Sequence, residues 1–250
     1  MSRAIFTAGC LGLLSTAWAL AEDASTNASA ERISLFQVPL KCEAAPQIGC
    51  GSMSKPILLE LERDPAVREA WLNKTGTIIA IVGSEASNHD SISKTVESVL
   101  AKNGVSSNEL AGEAYATELK SFSAGTDWYR GADVDALSKI ESRTIAQRMV
   151  HRVQASVTLT PEKTAALEAG ITNAFERRFF PSGNSSDPTD KREQLFEDIS
   201  TVARANLNQE EITALKAAFA KGIKPLPEDN ESGKGKAATP ECCRFPSQRS

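Results

Sequence analysis

Hydrophobic and polar positions follow two different periods along the chain, and the period changes about halfway. In the first half, residues 33–38 alternate and are rich in β-branched types, which predicts a strand. A loop with two cysteines follows, and Ser54 is expected to cap a short helix. Residues 67–72 and 77–82 are predicted to form two strands joined by Asn73-Lys74-Thr75-Gly76, a sequence typical of a hairpin turn.

A second helix is predicted after this hairpin. Ser91 or Ser93 is expected to cap it and Asn103-Gly104 to end it, and residues 105–119 could then return a final strand. The order strand, helix, strand, strand, helix, strand is that of a ferredoxin-like module. We therefore predict such a module over residues 32–120.

The second half of the chain shows only the helical period. Residues 131–223 are predicted to form four amphipathic helices, each with one apolar stripe, which must pack on one another or on the sheet. Their expected starts are Asp133, Thr160-Pro161, the capping-box pair Asp190 and Glu193, and the pair Asn208 and Glu211. Together with the module, this predicts an α+β protein.

The junction between the halves holds a local concentration of aromatic residues, Trp128-Tyr129-Arg130-Gly131. We expect Trp128, Tyr129 and Arg130 to pack the module onto the helices, and an interaction surface is the alternative. Beyond the last helix, residues 224–250 are dominated by Pro, Glu, Ser, Gly and Lys, which predicts a flexible tail.

The amino terminus has the pattern of a cleavable export signal. Arg3 precedes an apolar run over residues 4–20, and Ala19-Leu20-Ala21 provides a site with small residues for cleavage. Residues 22–31 are predicted to be a flexible leader. Alternatives are an uncleaved membrane anchor and a lipoprotein modified at Cys10. We predict an exported protein, most simply in a bacterial periplasm, with no transmembrane span after cleavage near Ala21.

Composition narrows the function classes. Of the 250 residues, 41% are hydrophobic, enough for a core, and the formal net charge is −4. This charge argues against a nucleic-acid partner, because binding to phosphates needs a basic surplus. The chain also lacks a glycine-rich phosphate loop and the common hydrolase motifs.

Cysteines carry the candidate chemistry. Cleavage of the signal would leave Cys42, Cys50, Cys242 and Cys243 of the five in the chain. The first two lie in a loop before the first predicted helix. This position, the order of elements, Asp64-Pro65-Ala66-Val67 before the hairpin and residues 101–105 at the end of helix two resemble a heavy-metal-associated domain.

That resemblance covers about a third of the chain and implies a site for a soft metal ion. Cys42 and Cys50 would take the roles of the two cysteines of the family's C-x-x-C loop, although the spacing here is C-x₇-C. Two thiolates suit Cu(I), Hg(II) or Zn(II), with Zn(II) needing further ligands, and Met53 could add a thioether to a copper ion.

Two alternatives for the loop remain open. In an oxidising compartment Cys42 and Cys50 could form a structural disulfide. They could also carry out thiol–disulfide exchange, since Cys50 lies just ahead of a helix whose dipole favours a thiolate. The C-x₇-C spacing is poor for rapid internal resolution in comparison with C-x-x-C.

The tail carries the adjacent pair Cys242 and Cys243, which in this detail alone resembles the vicinal-cysteine tail of mercuric reductases. The resemblance implies a relay of metal to the loop cysteines; bridges to those cysteines or to another chain are the alternatives. Residues 159–162 and 207–210 faintly resemble the repeated motif of Spy-like periplasmic proteins.

The leading prediction is therefore an exported protein that binds a soft metal ion through Cys42 and Cys50, for trafficking, resistance or sensing, without catalytic turnover. Its expected partners are the metal ion and a periplasmic or membrane protein. A disulfide-stabilised interaction module is the first alternative, and a thiol–disulfide oxidoreductase is the second.

Overall fold

The computed structural model describes residues 33–179 and 190–231, which form five strands and eight helices. The predicted export signal, the predicted leader and residues 232–250, with Cys242 and Cys243, lie outside these residues. Residues 224–231, predicted to belong to the flexible tail, are instead ordered: they include a helix, and Arg152 bonds to Asp229 and to the Lys224 carbonyl. In chain order the elements are β1 (Ile33–Gln37), α1 (Gly51–Leu61), β2 (Val67–Asn73), β3 (Ile78–Gly83), α2 (His89–Lys102), β4 (Asn108–Glu109), α3 (Gly112–Ser123), β5 (Trp128–Arg130), α4 (Asp135–Gln154), α5 (Pro161–Phe179), α6 (Asp190–Asn206), α7 (Gln209–Ala220) and α8 (Pro227–Glu231).

The strands form one antiparallel sheet in the order β4-β1-β3-β2-β5. Helices cover both of its faces. Phe36, Ile79 and Ile81 point to the face packed by α1 and α2, while Leu35 and Ala80 point to the opposite face, packed by α3. This explains why all six residues of β3 are buried. The α+β class predicted from the sequence is confirmed.

The segment predicted to return a final strand, residues 105–119, does so only at Asn108–Glu109, which pair with β1. Its strand β4 has only two residues, and most of the segment belongs to α3. Tyr115, Leu119 and Phe122 are spaced by four and three residues, so one helix face carries all three against the second face of the sheet. The Phe122 ring meets Trp128 edge-on, with centroids 5.0 Å apart.

Two helix starts also differ from the sequence prediction. Asn88 caps α2 and exchanges hydrogen bonds with Ser91, so neither Ser91 nor Ser93 is the cap. Ser54 lies inside α1, where its hydroxyl donates to the Cys50 carbonyl over 2.7 Å, and the helix begins at Gly51. Several side chains near each of these helix starts could accept a capping hydrogen bond, and the path of the backbone decides which one does so.

The expected caps of two other helices are confirmed. Thr160 Oγ1 accepts the Lys163 N–H at the start of α5 over 3.4 Å. Asn208 and Glu211 form the reciprocal capping box of α7. The pair predicted at the start of α6, Asp190 and Glu193, lies outside the described side chains.

Helix α4 is the centre of the second half of the fold. It packs against α1, α5, α7 and α8, and no other helix touches so many elements. Leu137, Ile145 and Met149 are completely buried along its inner face. The resulting apolar cluster is continuous from Phe36 in β1 to Phe219 in α7. No helix among the described residues is long and apolar enough to cross a membrane.

Two arginines of α4 fasten the cysteine loop and the segment after α7 to this helix. Arg152, 6% exposed, donates to both carboxylate oxygens of Asp229 over 2.8 and 2.6 Å. Arg148 donates to the carbonyls of Ala44 and Ile223 over 2.8 and 2.6 Å. The bonds from Arg152 hold the pKa of Asp229 down at about 2, so this carboxylate keeps its charge at any neutral pH.

The turn between β2 and β3 supports the cysteine loop. Gly76 has φ +71, as the predicted hairpin turn requires, and its carbonyl accepts the Leu40 N–H over 2.9 Å. The Gly49 N–H in turn donates to the Lys74 carbonyl over 2.7 Å. A Cβ on Gly76 would lie 2.4 Å from Gly49 Cα and 2.5 Å from the Leu40 oxygen. Only glycine at position 76 therefore allows the cysteine loop to pack on the turn.

We predict that Gly76→Ala destabilises the protein far more than Gly104→Ala. Both glycines have positive φ, but a Cβ on Gly104 would meet nothing within 4 Å. Gly104→Ala should cost about 1 kcal/mol for the backbone conformation, and Gly76→Ala about 3 kcal/mol because a backbone clash is added. Urea unfolding of the two variants measures the difference, and equal losses would contradict the close packing of loop and turn.

Candidate functional site

The loop that carries Cys42 and Cys50 is a short hairpin. Lys41 and Gly49 form an antiparallel bridge, and each cysteine donates its backbone N–H to a carbonyl of the opposite arm, over 2.9 and 2.8 Å. The two cysteines are therefore diagonal neighbours across the hairpin, and diagonal side chains share one face. The extra residues of the C-x₇-C spacing are taken up by the turn.

Both cysteines are free thiols, and they lie close enough on one face of the hairpin for each to shift the pKa of the other. Cys42 is 2% exposed, whereas Cys50 is half-buried. The Cys42 thiol donates to the Cys50 sulfur, and this bond lowers the pKa of Cys50 to about 5. The same bond, together with burial, raises the pKa of Cys42 far above its usual range. One sulfur is thus a thiolate at neutral pH and the other a protonated thiol.

The start of α1 adds to the stabilisation of the Cys50 thiolate. Cys50 is the N-cap residue, with its sulfur 3.4 Å from the Ser52 hydroxyl oxygen. The backbone N–H groups of Ser52 and Met53 face the sulfur and lower its pKa further, although neither forms a full capping bond. This is the effect of a helix N-terminus on a thiolate. The Met53 side chain itself is 51% exposed.

A carboxylate completes the site. Glu141 lies on the inner face of α4 and is 5% exposed, next to Cys42, whose one thiol proton can be directed either to the Cys50 sulfur or to this carboxylate. Burial raises the pKa of Glu141 to about 7, and the bond from Cys42 opposes that rise. The nearby Cys50 charge also raises it.

Sequence analysis did not single out Glu141, although a signal was present. It lies four residues from both Leu137 and Ile145, on the stripe that the helical period marks as buried. An acid on such a stripe is uncommon, because a buried carboxylate without a cation is costly. The pattern could therefore have identified Glu141, but not its contact with Cys42.

The first turn of α1 lies directly on α4 beside this cluster. A Cβ on Gly51 would come within 2.4 Å of Ser138 Oγ and 2.8 Å of the Val134 oxygen. Ser138 Oγ is buried and has no hydrogen-bond partner, and the same is true of Glu141 Oε2. The contact of Gly51 with Ser138 closes the pocket that holds Cys42 and Glu141.

The other residues singled out in the sequence lie elsewhere. Trp128, Tyr129 and Arg130 form β5, which pairs with β2 at the edge of the sheet. Trp128 packs under α3, and Arg130 bonds to Glu62 over 2.9 Å. These residues thus pack within the sheet, and Trp128 also packs on α3. Cys242 and Cys243 lie outside the described residues, so their relation to the loop stays a prediction.

The donor atoms of the site were also considered for metal binding. Two cysteine sulfurs are in contact, which is sufficient for a linear two-coordinate soft ion. Among residues 33–179 and 190–231, no group of three or more His, Cys, Asp or Glu side chains is arranged to hold a metal ion.

We predict that Cys50 is alkylated by iodoacetamide with a midpoint near pH 5, whereas Cys42 stays protected in the folded chain. Cys42→Ala removes the largest stabilising contact and should move the Cys50 midpoint towards the ordinary thiol range. Ser52→Ala should move it in the same direction by less. Peptide mass spectrometry resolves the two cysteines, and a wild-type midpoint near 8 or 9 would contradict the thiolate.

Comparison with known proteins gives no match. No family model matches the chain, and no curated protein and no solved structure matches it either. The resemblances to heavy-metal-associated domains and to Spy-like proteins therefore stay predictions from the sequence. The case for a function rests on the geometry of Cys42, Cys50 and Glu141.

Proposed function

We propose that this chain carries out thiol–disulfide exchange through Cys42 and Cys50. The observation that carries the proposal is the asymmetry of the pair: Cys50 is half-buried at the start of α1, where its pKa is lowered, and Cys42 is buried on the same face of the hairpin. An accessible thiolate is the form that attacks a disulfide, and a protected second thiol in contact with it can resolve the product. Cys50 is the attacking residue and Cys42 the resolving one.

The exchange proceeds in two steps. The Cys50 thiolate attacks one sulfur of a substrate disulfide, a mixed disulfide forms, and the other substrate sulfur leaves as a thiolate. Cys42 then gives up its proton, its sulfur attacks the Cys50 sulfur, and the second substrate thiolate leaves. The substrate gains two electrons and the protein pair becomes a disulfide; the reverse sequence oxidises a substrate dithiol. A second thiol or disulfide partner restores the starting form.

Stabilisation of the Cys50 thiolate favours one direction. A low pKa at the attacking cysteine stabilises the dithiol form, which makes the corresponding disulfide a stronger oxidant. In the oxidising space implied by the predicted export signal, the protein would therefore pass its disulfide to substrate thiols. The hairpin also removes the objection raised by the C-x₇-C spacing, because the sulfurs meet despite it.

Soft-metal binding remains the second candidate, favoured by the contact between two sulfurs of which one is already a thiolate. A linear Cu(I) or Hg(II) site needs only this pair. The strand order β4-β1-β3-β2, with α1 and α2 on one face, supports the further proposal that residues 33–109 form a ferredoxin-like module. Exchange is preferred because one cysteine is accessible at the start of α1 while the other is enclosed, an arrangement that suits an attacking and a resolving thiol and that a metal site does not require.

We predict that the Cys42–Cys50 disulfide forms and is reduced reversibly when the full chain is equilibrated anaerobically in buffers of reduced and oxidised glutathione. Cys42→Ser should accumulate glutathione on Cys50, because the resolving thiol is missing. The matched variant Cys50→Ser should accumulate little on buried Cys42. Mass spectrometry of acid-quenched samples measures all three species.

Two results would overturn the proposal. A Cys42–Cys50 disulfide that neither glutathione nor dithiothreitol reduces in the folded chain would show a structural bridge. Stoichiometric binding of Cu(I) or Hg(II) by a dithiol that does not react with oxidised glutathione would support metal binding instead.

A further inference from the structure

Glu141 is the least expected side chain of the apolar core. Its carboxylate is 5% exposed, lies between the fully buried Leu137 and Ile145, and forms no ion pair among the described residues. Its Oε2 has no hydrogen-bond partner. Burial of a carboxylate without a cation costs free energy that a leucine here would not. This position therefore calls for a role other than packing.

Packing places Glu141 opposite the cysteine hairpin. It lies on one stripe of α4 between Ser138, which is in contact with Gly51, and Arg148, which donates to the Ala44 carbonyl. Among the described residues, the groups that shift the pKa of Glu141 are Cys42 and Cys50, the two that change during exchange.

Few groups near Cys42 can accept its proton. Cys42 is 2% exposed, and its contacts are the Cys50 sulfur, Glu141 and the Ala45 N–H, which donates to Cys42 Sγ over 3.3 Å. Once Cys50 is part of a mixed disulfide it carries no charge and cannot hold this proton. The Ala45 N–H is a donor and cannot accept it, but it stabilises the Cys42 thiolate as it forms. Glu141 is then the one acceptor in contact.

We propose, on the basis of the exchange function above, that Glu141 accepts the proton of Cys42 as the Cys42 sulfur attacks the mixed disulfide at Cys50. The S–H bond of Cys42 breaks and an O–H bond forms on Glu141. The Cys42–Cys50 disulfide bond forms as the Cys50–substrate bond breaks, and the substrate sulfur leaves as a thiolate. In the reverse direction Glu141 returns the proton to Cys42.

Ser138 can accept a hydrogen bond from Glu141 once that carboxylate has taken up the proton. It lies three residues before Glu141 on α4, and residues with this spacing are neighbours on one helix face. Its Oγ is buried without a partner. A protonated Glu141 gains a donor that the charged form lacks, and Ser138 Oγ can accept from it.

The test measures the two exchange steps separately in the full chain. After mixing with oxidised glutathione, Cys50–glutathione is followed as it forms and as it resolves to Cys42–Cys50, by acid quenching and mass spectrometry. Glu141→Gln should leave formation within about threefold of wild type and slow resolution by at least about 100-fold at pH 7, the usual contribution of a general base. Its resolution rate should rise tenfold per pH unit, whereas wild type levels off near pH 7.

Two further variants separate proton transfer from packing. Glu141→Asp keeps a carboxylate at shorter reach, so it should resolve faster than Glu141→Gln and keep the levelling off. Glu168→Gln changes a half-buried glutamate of α5 whose carboxylate accepts a hydrogen bond from Gln147 and lies outside the dithiol site, so it serves as the matched control and should behave as wild type. If Glu141→Gln does not fold, the comparison of Glu141→Asp with wild type carries the test.

The outcomes distinguish this inference from the function on which it rests. If wild type forms no mixed disulfide or never resolves it, the exchange function is wrong. If wild type resolves it and Glu141→Gln does so at the same rate with the same pH profile, the exchange function stands and the role of Glu141 is wrong.

Discussion

The direct contact between the first turn of α1 and the middle of α4 is the constraint on which the site depends. It exists because residue 51 is glycine: any Cβ there would overlap Ser138. With the two helices this close, the cysteine hairpin packs against the face of α4 that carries Glu141, and both Cys42 and Glu141 are buried there. A longer distance would leave Glu141 facing apolar residues and Cys42 facing solvent.

Two of the buried polar clusters among the described residues differ in how completely their hydrogen bonds are satisfied. Around Arg152, the guanidinium groups, the Asp229 carboxylate and several carbonyls all have partners. Such a cluster stabilises one arrangement of the chain. Here it holds the segment after α7 and the cysteine loop together on α4. In the dithiol pocket, Ser138 and Glu141 each retain an unpartnered oxygen. The absence of hydrogen-bond partners for these oxygens lowers the stability of the fold, but it leaves acceptors to which a proton can move.

Much of the fold followed from local patterns. The turn at residues 73–76, the capping box of Asn208 and Glu211 and the four later helices were predicted because each depends on residues near in sequence. The prediction of a strand over residues 105–119 missed helix α3, because that helix depends on contacts with residues distant in the chain. Tyr115, Leu119 and Phe122 needed an apolar sheet face to cover, and the sequence does not show that the second face of the sheet is left open for them.

By itself the sequence determined which residues could carry chemistry: two loop cysteines, one of them ahead of a helix, and an acid on a buried stripe. It could not determine that they meet. The contact of Cys42 with Cys50 depends on the hairpin bridge at Lys41 and Gly49, and the contact with Glu141 depends on packing between α1 and α4. The tertiary structure alone decided the opposite protonation of the two thiols, because a pKa reflects burial and neighbours that are distant in the chain.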